Sequence, residues 1–543
     1  MPQWVAPSAG VPLGAKAVMS QLKETQCYCR KLTLREIQEI ISKFAMAAAI
    51  ARDVGFDFIE VHGCHGHNPP HQFFSPIDNQ RSDGYGGSLE KRIRFNIELA
   101  ETIRKKVGSQ FPLLWRLSAA EGVPGGYGLD DCMQLCLHLR KAGVDLIDVS
   151  FGHEASHASR PIGHLALCPG EERPPATFIS LAEKIRKRIG LPVIGVGRID
   201  TLELAEDLVQ KRKVGLVALG RPLLADPQWV EKAINGKEDE IIPCIYCNNC
   251  IDVTDKGEPL RCAVNASTGR EDEVRLKPAN RAKMVLIVGG GPSGLEAATV
   301  LALRGYKVVL FEKDAELGGQ LLLASKPPRK QRLQKLIDYY ANRVRSLHVD
   351  VRIGQESTLA TIMEANPCCV ILATGSSPLE LDINVTTDKK ILNYSDALSG
   401  VQEVGERVAI IGGGQIGCET AEYLTERGRQ VVVIEVADIM CSMLSAKHRH
   451  FLLYQLASKN VTMVTSTRAE EISDEGVHIF TRKGKRQIVK ADSVVIAIGL
   501  KSDHKLVEQL KGKIDFLGLI GDCVEPRRIA DAIREGARIG YDL

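Results

Sequence analysis

The chain has 543 residues, a formal net charge of +3, and 44% hydrophobic against 25% charged residues. At about 150 residues per domain this length predicts three or four domains, and the weak net charge argues against an electrostatic nucleic-acid binder. No segment reaches the roughly 18 apolar residues of a membrane span, and Met1 to Trp4 lacks signal-peptide features, so we expect a cytoplasmic protein. Its fifteen cysteines are then better explained as thiols, core residues or metal ligands than as disulfides.

The first part of the chain alternates helical patterns with short apolar runs. Between residues 34 and 236 these runs are FIEVHG, LLWRLS, LIDVSFG, PVIGVG and VALGRP. Strands that alternate with helices predict a parallel sheet with helices on its faces, which is an α/β fold. A closed barrel of this type needs eight strands, and five are found here.

A loop-like segment, 237–279, follows and carries four cysteines. Cys244, Cys247, Cys250 and Cys262 have the spacing C-x2-C-x2-C-x11-C. Structural zinc sites usually present two separated pairs of ligands, whereas three close thiolates and a remote one suit the corners of a [4Fe-4S] cubane. The spacing favours the cluster over zinc, which stays the alternative.

Two copies of one unit come next, each an apolar strand, a glycine turn, a helix and a strand with an acidic end. The glycines permit a tight turn, approach of the backbone to a pyrophosphate, and close packing of helix on strand. In each copy the acidic residue lies 23 positions after the first glycine, where a ribose-binding carboxylate belongs. The residues are Gly289, Gly291, Gly294 and Glu312 in the first copy, and Gly412, Gly414, Gly417 and Glu435 in the second. The sequence therefore predicts two dinucleotide sites.

Glu435 also indicates which nicotinamide is used. A carboxylate accepts hydrogen bonds from a ribose 2′-OH but repels a 2′-phosphate. No Arg or Lys follows it in the next five residues. NADH is therefore expected in preference to NADPH.

The second half resembles the two-dinucleotide flavoprotein reductases. GGGPSGLEAA, FEKDAELGGQL, ILATGSSP, GGGQIGCETAEYL, VVIAIG and LIGDCVEP follow one another as in that family. The resemblance implies an FAD domain at 280–385 and 490–543, with an NAD(H) domain at 386–489 inserted in it. It also implies that FAD contacts Glu312, Gly319, Gln320, Thr374, Gly521 and Asp522. The redox-active CxxC often found in the family is absent between residues 312 and 370, so electrons from FAD must pass elsewhere.

The first half resembles the FMN barrels of the Old Yellow Enzyme-like family, through VHGCHGHNPPHQFFSPIDNQRSDGYGGSLEKRIRF. With the cysteine spacing and both nucleotide units, the chain resembles the large subclass that includes 2,4-dienoyl-CoA reductase, 2-enoate reductase and trimethylamine dehydrogenase. The implied fold is a (β/α)8-type barrel followed by two Rossmann-like domains, the second inserted in the first. The subclass has three more barrel strands before the helix near residue 34. We therefore expect an N-terminally truncated barrel at 1–236, which leaves open whether FMN is retained.

The resemblance implies roles for single residues of the barrel half. Arg116 would lie against the flavin ring, and Gly197 with Gly220 and Arg221 would bind its phosphate. His62 and His65 would hydrogen-bond a substrate carbonyl or anion. Reductases of the subclass commonly carry a proton-donating tyrosine two residues after the second histidine; this chain has His67 there, and its imidazolium would take that role.

The expected function is an NADH-dependent flavin oxidoreductase. Electrons would pass from NADH through FAD and the [4Fe-4S] cluster to FMN, which would reduce the C=C bond of an enoate, enone or dienoyl thioester. An amine dehydrogenase running the same chain backwards is one alternative, and an FAD-containing NADH diaphorase without substrate chemistry is another. Expected partners are NADH, the unsaturated carbonyl compound, and either further copies of this chain or a chain that completes the barrel.

Overall fold

The structure is a computed structural model that describes residues 5–9, 29–154, 167–279, 283–444 and 446–543. The chain divides into two compact units, Met1–Leu219 and Gly220–Leu543. The end predicted for the barrel half, residue 236, lies beyond this division. Among the described residues, no helix has the length and apolar character needed to cross a bilayer.

The first unit is built on one parallel sheet whose strands lie side by side in chain order. These strands are Ile59–Gly63, Leu113–Ser118, Leu146–Ser150, Val193–Gly195 and Leu216–Val217. The first four coincide with apolar runs found in the sequence, and the fifth shares only Val217 with the run VALGRP. The helices that alternate with them are Leu34–Asp53, Pro69–Phe74, Leu89–Val107, Leu129–Lys141, Ile179–Ile189 and Leu202–Gln210. A short parallel pair, Val5–Ala6 and Arg30–Lys31, precedes the first helix.

Local signals explain where these helices begin. Thr33 and Glu36 form a capping box at the first turn of Leu34–Asp53, which satisfies amide groups that the helix cannot pair itself. Asn68 caps Pro69–Phe74, whose two prolines occupy the positions where a missing N–H costs nothing. This short helix follows the first strand of the sheet directly, so it orients the polar turn between them.

The second unit begins with the helices Arg221–Ala225, Trp229–Ile234 and Asn249–Asp255, and the 3-10 turn Glu238–Glu240. Two five-stranded parallel sheets follow. In spatial order the first contains Asp350–Ile353, Lys307–Glu312, Met284–Val288, Cys369–Leu372 and Leu517–Leu519. Its helices are Pro292–Leu303, Gln320–Ala324, Gln331–Ser346, Leu359–Ala365, Lys505–Leu510 and Ile529–Asp542, with the 3-10 turn Gly521–Cys523.

The second parallel sheet lies, in sequence, within the first. In spatial order its strands are Lys390–Asn393, Ser493–Ile496, Arg407–Ile411, Gln430–Ile434 and Thr462–Val464. Its helices are Tyr394–Ser399, Gln415–Thr425 and Ala446–Ser458. A four-stranded sheet of Asn384–Thr386, Thr467–Ser473, Gly476–Thr481 and Arg486–Lys490 accompanies it, and Ser376–Pro378 pairs with Leu500–Ser502 where the chain passes between the two parallel sheets.

Candidate functional site

Three histidines follow the first strand of the barrel half on one turn. The ring centroids of His62 and His65 are 5.9 Å apart, and those of His65 and His67 are 6.0 Å apart. His65 has a φ of +67°, a left-handed conformation that turns the chain sharply between the strand and the next helix. The structure therefore brings the three predicted histidines together at the carboxyl end of a strand, where barrel enzymes build their sites.

Two of these imidazoles are uncharged near neutral pH. Burial, reinforced by the nearby positive charge of Arg116, lowers the pKa of His62 and takes the pKa of His65 well below its ordinary value. His65 Nε2 lies 2.8 Å from Ser150 Oγ on the third strand, which holds the ring in place. Between them, burial raises the pKa of Cys64 to about 12, so this thiol is a neutral neighbour of both rings.

His67 differs from the other two because it is paired with a carboxylate. Its Nε2 atom lies 3.2 Å from Oε1 of Glu154, and the side chains are 49% and 15% exposed. The backbone N–H of Glu154 donates to the carbonyl of His65 at 3.0 Å, which anchors the acidic residue beside the turn. A carboxylate at this distance favours the protonated imidazolium. The pair lies next to the two neutral rings of His62 and His65.

Arg116 lies on the strand next to His62 and forms an ion pair with Asp148 of the third strand. The negative charges of Asp148 and Glu60 contribute to raising the pKa of Arg116 against the effect of burial. Burial, with the charge of Asp148, raises the pKa of Glu60 to about 7. Arg116 was expected at the flavin ring. In the structure it interacts with Asp148 and Glu60, and it lies opposite His62 in the register of the sheet.

The expected phosphate-binding residues belong to different parts of the chain. Gly197 has a φ of +115°, and a Cβ there would lie 2.8 Å from the ring of Phe178, so the position requires glycine. Gly220 precedes the helix Arg221–Ala225 and would leave a Cβ in open space. Arg221 bonds Asn248 and lies 4.7 Å above the ring of Tyr246, so its guanidinium contacts the cysteine segment.

The four cysteines of that segment line one small cavity. Backbone N–H groups point at their sulfurs, from Tyr246 towards Cys244, from Asn249 towards Cys247, and from residues 263–265 towards Cys262. Such donors stabilise metal-bound thiolates in iron–sulfur sites. Burial raises the pKa of Cys244 to about 12, and a bound metal would favour its thiolate form. The donor set fits a [4Fe-4S] cluster.

The first glycine turn is packed closely against backbone carbonyls at two of its glycines. A Cβ at Gly289 would lie 2.2 Å from the carbonyl of Ala373, and one at Gly294 would lie 2.0 Å from the carbonyl of Gly289, so neither position admits a side chain. Gly291 faces open space at the start of the helix Pro292–Leu303, where a pyrophosphate would lie. Glu312 accepts a hydrogen bond of 2.7 Å from the Gly290 N–H. These residues fit an FAD.

The other residues expected at the FAD lie around the same domain. Gln320 donates to Ser376 Oγ at 2.7 Å, and this hydroxyl donates to Asp522 at 3.1 Å, which links two segments distant in sequence. Burial raises the pKa of Asp522. Gly319 has a φ of +52° and a Cβ there would lie 3.1 Å from Gly291, Thr374 donates to the carbonyl of Asp503, and Gly521 has a φ of +67°.

The second glycine turn repeats the first in detail. Cβ atoms at Gly412 and Gly417 would lie 2.3 Å from the carbonyl of Ala497 and 1.9 Å from the carbonyl of Gly412. Gly414 faces open space, and Glu435 accepts a hydrogen bond of 2.6 Å from the Gly413 N–H. Gly414 and Glu435 line a cavity of about 860 Å³ that also contacts Gln320, Asp522 and Cys247. A cavity of this size accommodates a dinucleotide.

Sequence patterns did not identify Glu154 and Asp148, the acidic partners of His67 and Arg116. Both belong to the third strand or the residues after it, far along the chain from the histidine turn. A positional signal was available for Glu154, because an acidic residue just beyond LIDVSFG lies near the neighbouring strand ends of a parallel sheet, whereas Asp148 lies inside that run.

Comparisons with known proteins match two family models to two separate parts of the chain. Residues 3–240 match the NADH:flavin oxidoreductase / NADH oxidase family, and residues 283–521 match the pyridine nucleotide-disulphide oxidoreductase family. The NADH oxidase of Thermoanaerobacter brockii is 37% identical, with 95% of this chain and 79% of that protein covered. The cinnamate reductase of Clostridium sporogenes is 34% identical over 95% of this chain and 79% of that protein.

Among solved structures, a 2-naphthoyl-CoA reductase in complex with 2-naphthoyl-CoA superposes with a TM-score of 0.92 at 30% identity. The match covers 99% of this chain and 80% of that chain. Because it extends over nearly the whole chain, it gives no support to the expectation that the barrel half is truncated.

Proposed function

Because the chain belongs to the NADH:flavin oxidoreductase / NADH oxidase family, we propose that it uses NADH to reduce a C=C bond conjugated to a carbonyl group. The FMN, FAD and [4Fe-4S] cluster of this family arrangement supply, when bound, hydride and electron transfer from NADH to the double bond. One hydride and one proton add across the bond, so the protein must orient the carbonyl and provide the proton. Its own residues meet both requirements.

His62 and His65 orient the substrate in this proposal. As neutral imidazoles they donate hydrogen bonds to the carbonyl oxygen, which withdraws electrons from the double bond and makes its far carbon accept hydride. Ser150 fixes the ring of His65, so its donor direction is set before substrate binds. Because both rings are uncharged, they polarise the carbonyl through hydrogen bonds without transferring a proton to its oxygen.

His67 supplies the proton that completes the reduction. Glu154 pairs with its imidazole, and the ring is half exposed, so it can take up a proton from solvent after each turnover. The contact of His67 with a carboxylate, beside two imidazoles that form no such pair in the described part of the chain, is the observation that carries the proposal. It explains how the chain can reduce a C=C bond with histidine where reductases of the subclass use tyrosine.

The second unit binds the reductant. Gly412, Gly414 and Gly417 shape the turn for the NADH pyrophosphate, and Glu435 binds the ribose hydroxyls. Glu312 does the same for FAD in the first copy. An amine dehydrogenase has little need of a second intact nucleotide turn, which is why we prefer the reductive direction.

The same proposal covers the substrate class, the cellular location and the association of the chain. The names of the relatives support an aryl-conjugated acid or thioester, because cinnamate is a phenyl-substituted enoate and 2-naphthoyl-CoA is the thioester of an aromatic acid. The four thiols that line one cavity in the cysteine segment fit a cytoplasmic enzyme with metal-bound sulfur. Phe56 and Phe58 expose 63% and 52% of their surface, and we expect copies of the chain to associate over this patch.

Anaerobic purification followed by cofactor analysis and assay tests the proposal. We expect FMN, FAD and about four irons per chain, and NADH oxidation that depends on added cinnamate or cyclohex-2-enone. The matched control is His67→Phe, which should keep NADH oxidation by ferricyanide and lose the enoate-dependent rate. FAD and iron without FMN, with ferricyanide reduction only, would instead identify an NADH diaphorase. Reduction of the flavin by dimethylamine without NADH would identify an amine dehydrogenase.

A further inference from the structure

A second group of histidines and carboxylates lies beside the histidine turn. It consists of His71, Asp78, Glu121 and His153, and each offers one nitrogen or oxygen within 4.8 Å of all the others. The residues come from different segments: the helix Pro69–Phe74, the turn after it, and the connections that follow the second and third strands. The group therefore joins the carboxyl ends of three neighbouring strands of the first unit.

The distances converge on a common space. His71 Nε2 lies 3.0 Å from Glu121 Oε1, and His153 Nε2 lies 2.9 Å from Asp78 Oδ2 and 3.9 Å from the same Glu121 oxygen. A metal ion bonded at about 2.0–2.2 Å holds neighbouring nitrogen and oxygen ligands about 3–4 Å apart. The observed separations match that spacing without large rearrangement of the side chains.

All four side chains are buried. His71, Glu121 and His153 have 0% exposed side chains and Asp78 has 5%. Two carboxylates in such a place are costly unless a positive charge compensates them. Asp78 pairs with His153, and Glu121 lies within ion-pair distance of His71 and His153. In the described part of the chain, no Arg or Lys forms an ion pair with either acid. A divalent cation would balance the two negative charges while leaving both imidazoles neutral.

The surroundings hold the ligand atoms in position. The second oxygen of Glu121 accepts a hydrogen bond of 2.9 Å from the Tyr127 N–H, and the Tyr127 hydroxyl lies 3.4 Å from His71 Nδ1. Groups that hydrogen-bond to metal ligands in this way orient those ligands in protein metal sites. Gly66 passes so close that a Cβ there would lie 2.5 Å from His153 Nε2, so the chain covers the group on the side of the histidine turn.

We propose that His71, Asp78, Glu121 and His153 bind one divalent transition-metal ion in a closed, structural site. Two imidazoles and two carboxylates are ligands suited to Zn²⁺, Fe²⁺, Mn²⁺ or Co²⁺, whereas Mg²⁺ and Ca²⁺ prefer oxygen alone. Because four protein ligands enclose the ion, it fixes the three strand connections and takes no substrate. This site is separate from the cysteines and does not depend on the proposed function.

Zinc binding to the intact enzyme tests this proposal. The protein is purified anaerobically with its cluster, so that the four cysteines are already occupied, treated with a mild chelator and dialysed against zinc chloride. Zinc per chain is then measured by mass spectrometry for the wild type, for His153→Gln, and for the control His138→Gln on the helix Leu129–Lys141. Zinc-edge X-ray absorption of the loaded wild type reports the ligand atoms without any variant.

We expect about one tightly held zinc per chain in the wild type and in His138→Gln, and at least tenfold weaker binding in His153→Gln. The absorption spectrum should show only nitrogen and oxygen at about 2.0–2.1 Å. Sulfur at about 2.3 Å would place the zinc at Cys64 or the cysteine segment and would overturn the proposal. Unchanged binding in His153→Gln, or no zinc in the wild type, would also overturn it. If His153→Gln does not fold, the wild-type spectrum still decides.

Discussion

Glu154 Oε1 lies 3.2 Å from Nε2 of His67, so the one histidine of the turn with an acidic partner is the one that stands where tyrosine is expected. The partner compensates for the difference between a phenol, which keeps its proton to high pH, and an imidazole, which loses it near neutrality. The pair thus makes proton donation depend on two residues.

Glu154→Gln should therefore lower the rate of enoate reduction by about 10- to 100-fold at pH 7.5, because general acids contribute about 10²- to 10⁴-fold. The basic limb of the pH profile should move to lower pH, since an amide does not stabilise the imidazolium. The measurement is kcat for enoate-dependent NADH oxidation from pH 5.5 to 9. His67→Tyr in the same background should remove the shift, and an unchanged profile in Glu154→Gln would refute the role.

Cys247→Ser should abolish the cluster. We expect iron to fall well below the roughly four atoms per chain of a complete [4Fe-4S] centre, with enoate reduction lost and NADH oxidation by ferricyanide retained. Cys368→Ser is the control, because Cys368 bonds the Met284 carbonyl in the FAD domain and lies outside the cysteine segment. Wild-type protein without iron, whose zinc has sulfur ligands at about 2.3 Å by X-ray absorption, would show that the alternative metal occupies the site.

Gly417→Ala and Gly294→Ala should have reciprocal effects. Each introduces a Cβ within about 2 Å of a backbone carbonyl, 1.9 Å in the second turn and 2.0 Å in the first. We expect Gly417→Ala to keep FAD and bind NADH at least tenfold more weakly, and Gly294→Ala to lose FAD. Flavin content and stopped-flow reduction by NADH separate the two outcomes. Loss of FAD in both variants would contradict the assignment of the two turns.

Glu435→Gln should reduce the preference for NADH. Losing a charged acceptor for the ribose hydroxyls removes about 1.5–3 kcal/mol, which is tenfold or more in kcat/KM for NADH. Activity with NADPH should rise or stay level, because the repulsion of its phosphate disappears. Glu403→Gln, an exposed carboxylate near the start of the same sheet, serves as the control. A wild type that already uses both nucleotides equally would disprove the preference.

Glu296→Gln should alter how stability depends on pH. Burial raises the pKa of Glu296 to about 7, although the Tyr340 hydroxyl donates to it at 3.0 Å. Because the folded pKa is higher than the unfolded one, this stabilisation is complete below about pH 4.5 and is lost as pH rises through about 7. The variant should match the wild type at pH 5 and exceed it by about 1–3 kcal/mol at pH 8. Thermal unfolding of the flavin-loaded protein at both pH values measures this difference, and parallel curves would exclude it.

The sequence alone was sufficient to predict the features that depend on the spacing of nearby residues. The glycine units, the four cysteines and the histidine turn identified the family, its cofactors and the type of reaction, and the comparisons confirm those predictions. All of these signals lie within short stretches whose chemistry follows from residue type and interval.

Pairs between distant residues could not be predicted in the same way. Arg116 meets Asp148 because parallel strands place them opposite each other in one register, and that register is a property of the folded sheet. The buried group around Glu121 likewise forms only when three strand connections converge. A residue such as His71 has no local pattern that separates a ligand from a core histidine.

The carboxylates of Glu312 and Glu435 already hold the amide groups of their own glycine turns, at 2.7 and 2.6 Å. Both turns therefore keep their shape without a nucleotide, and binding has little backbone entropy to remove. We therefore expect NADH to bind the second turn with little ordering of its backbone, and the energy of its contacts to appear as affinity.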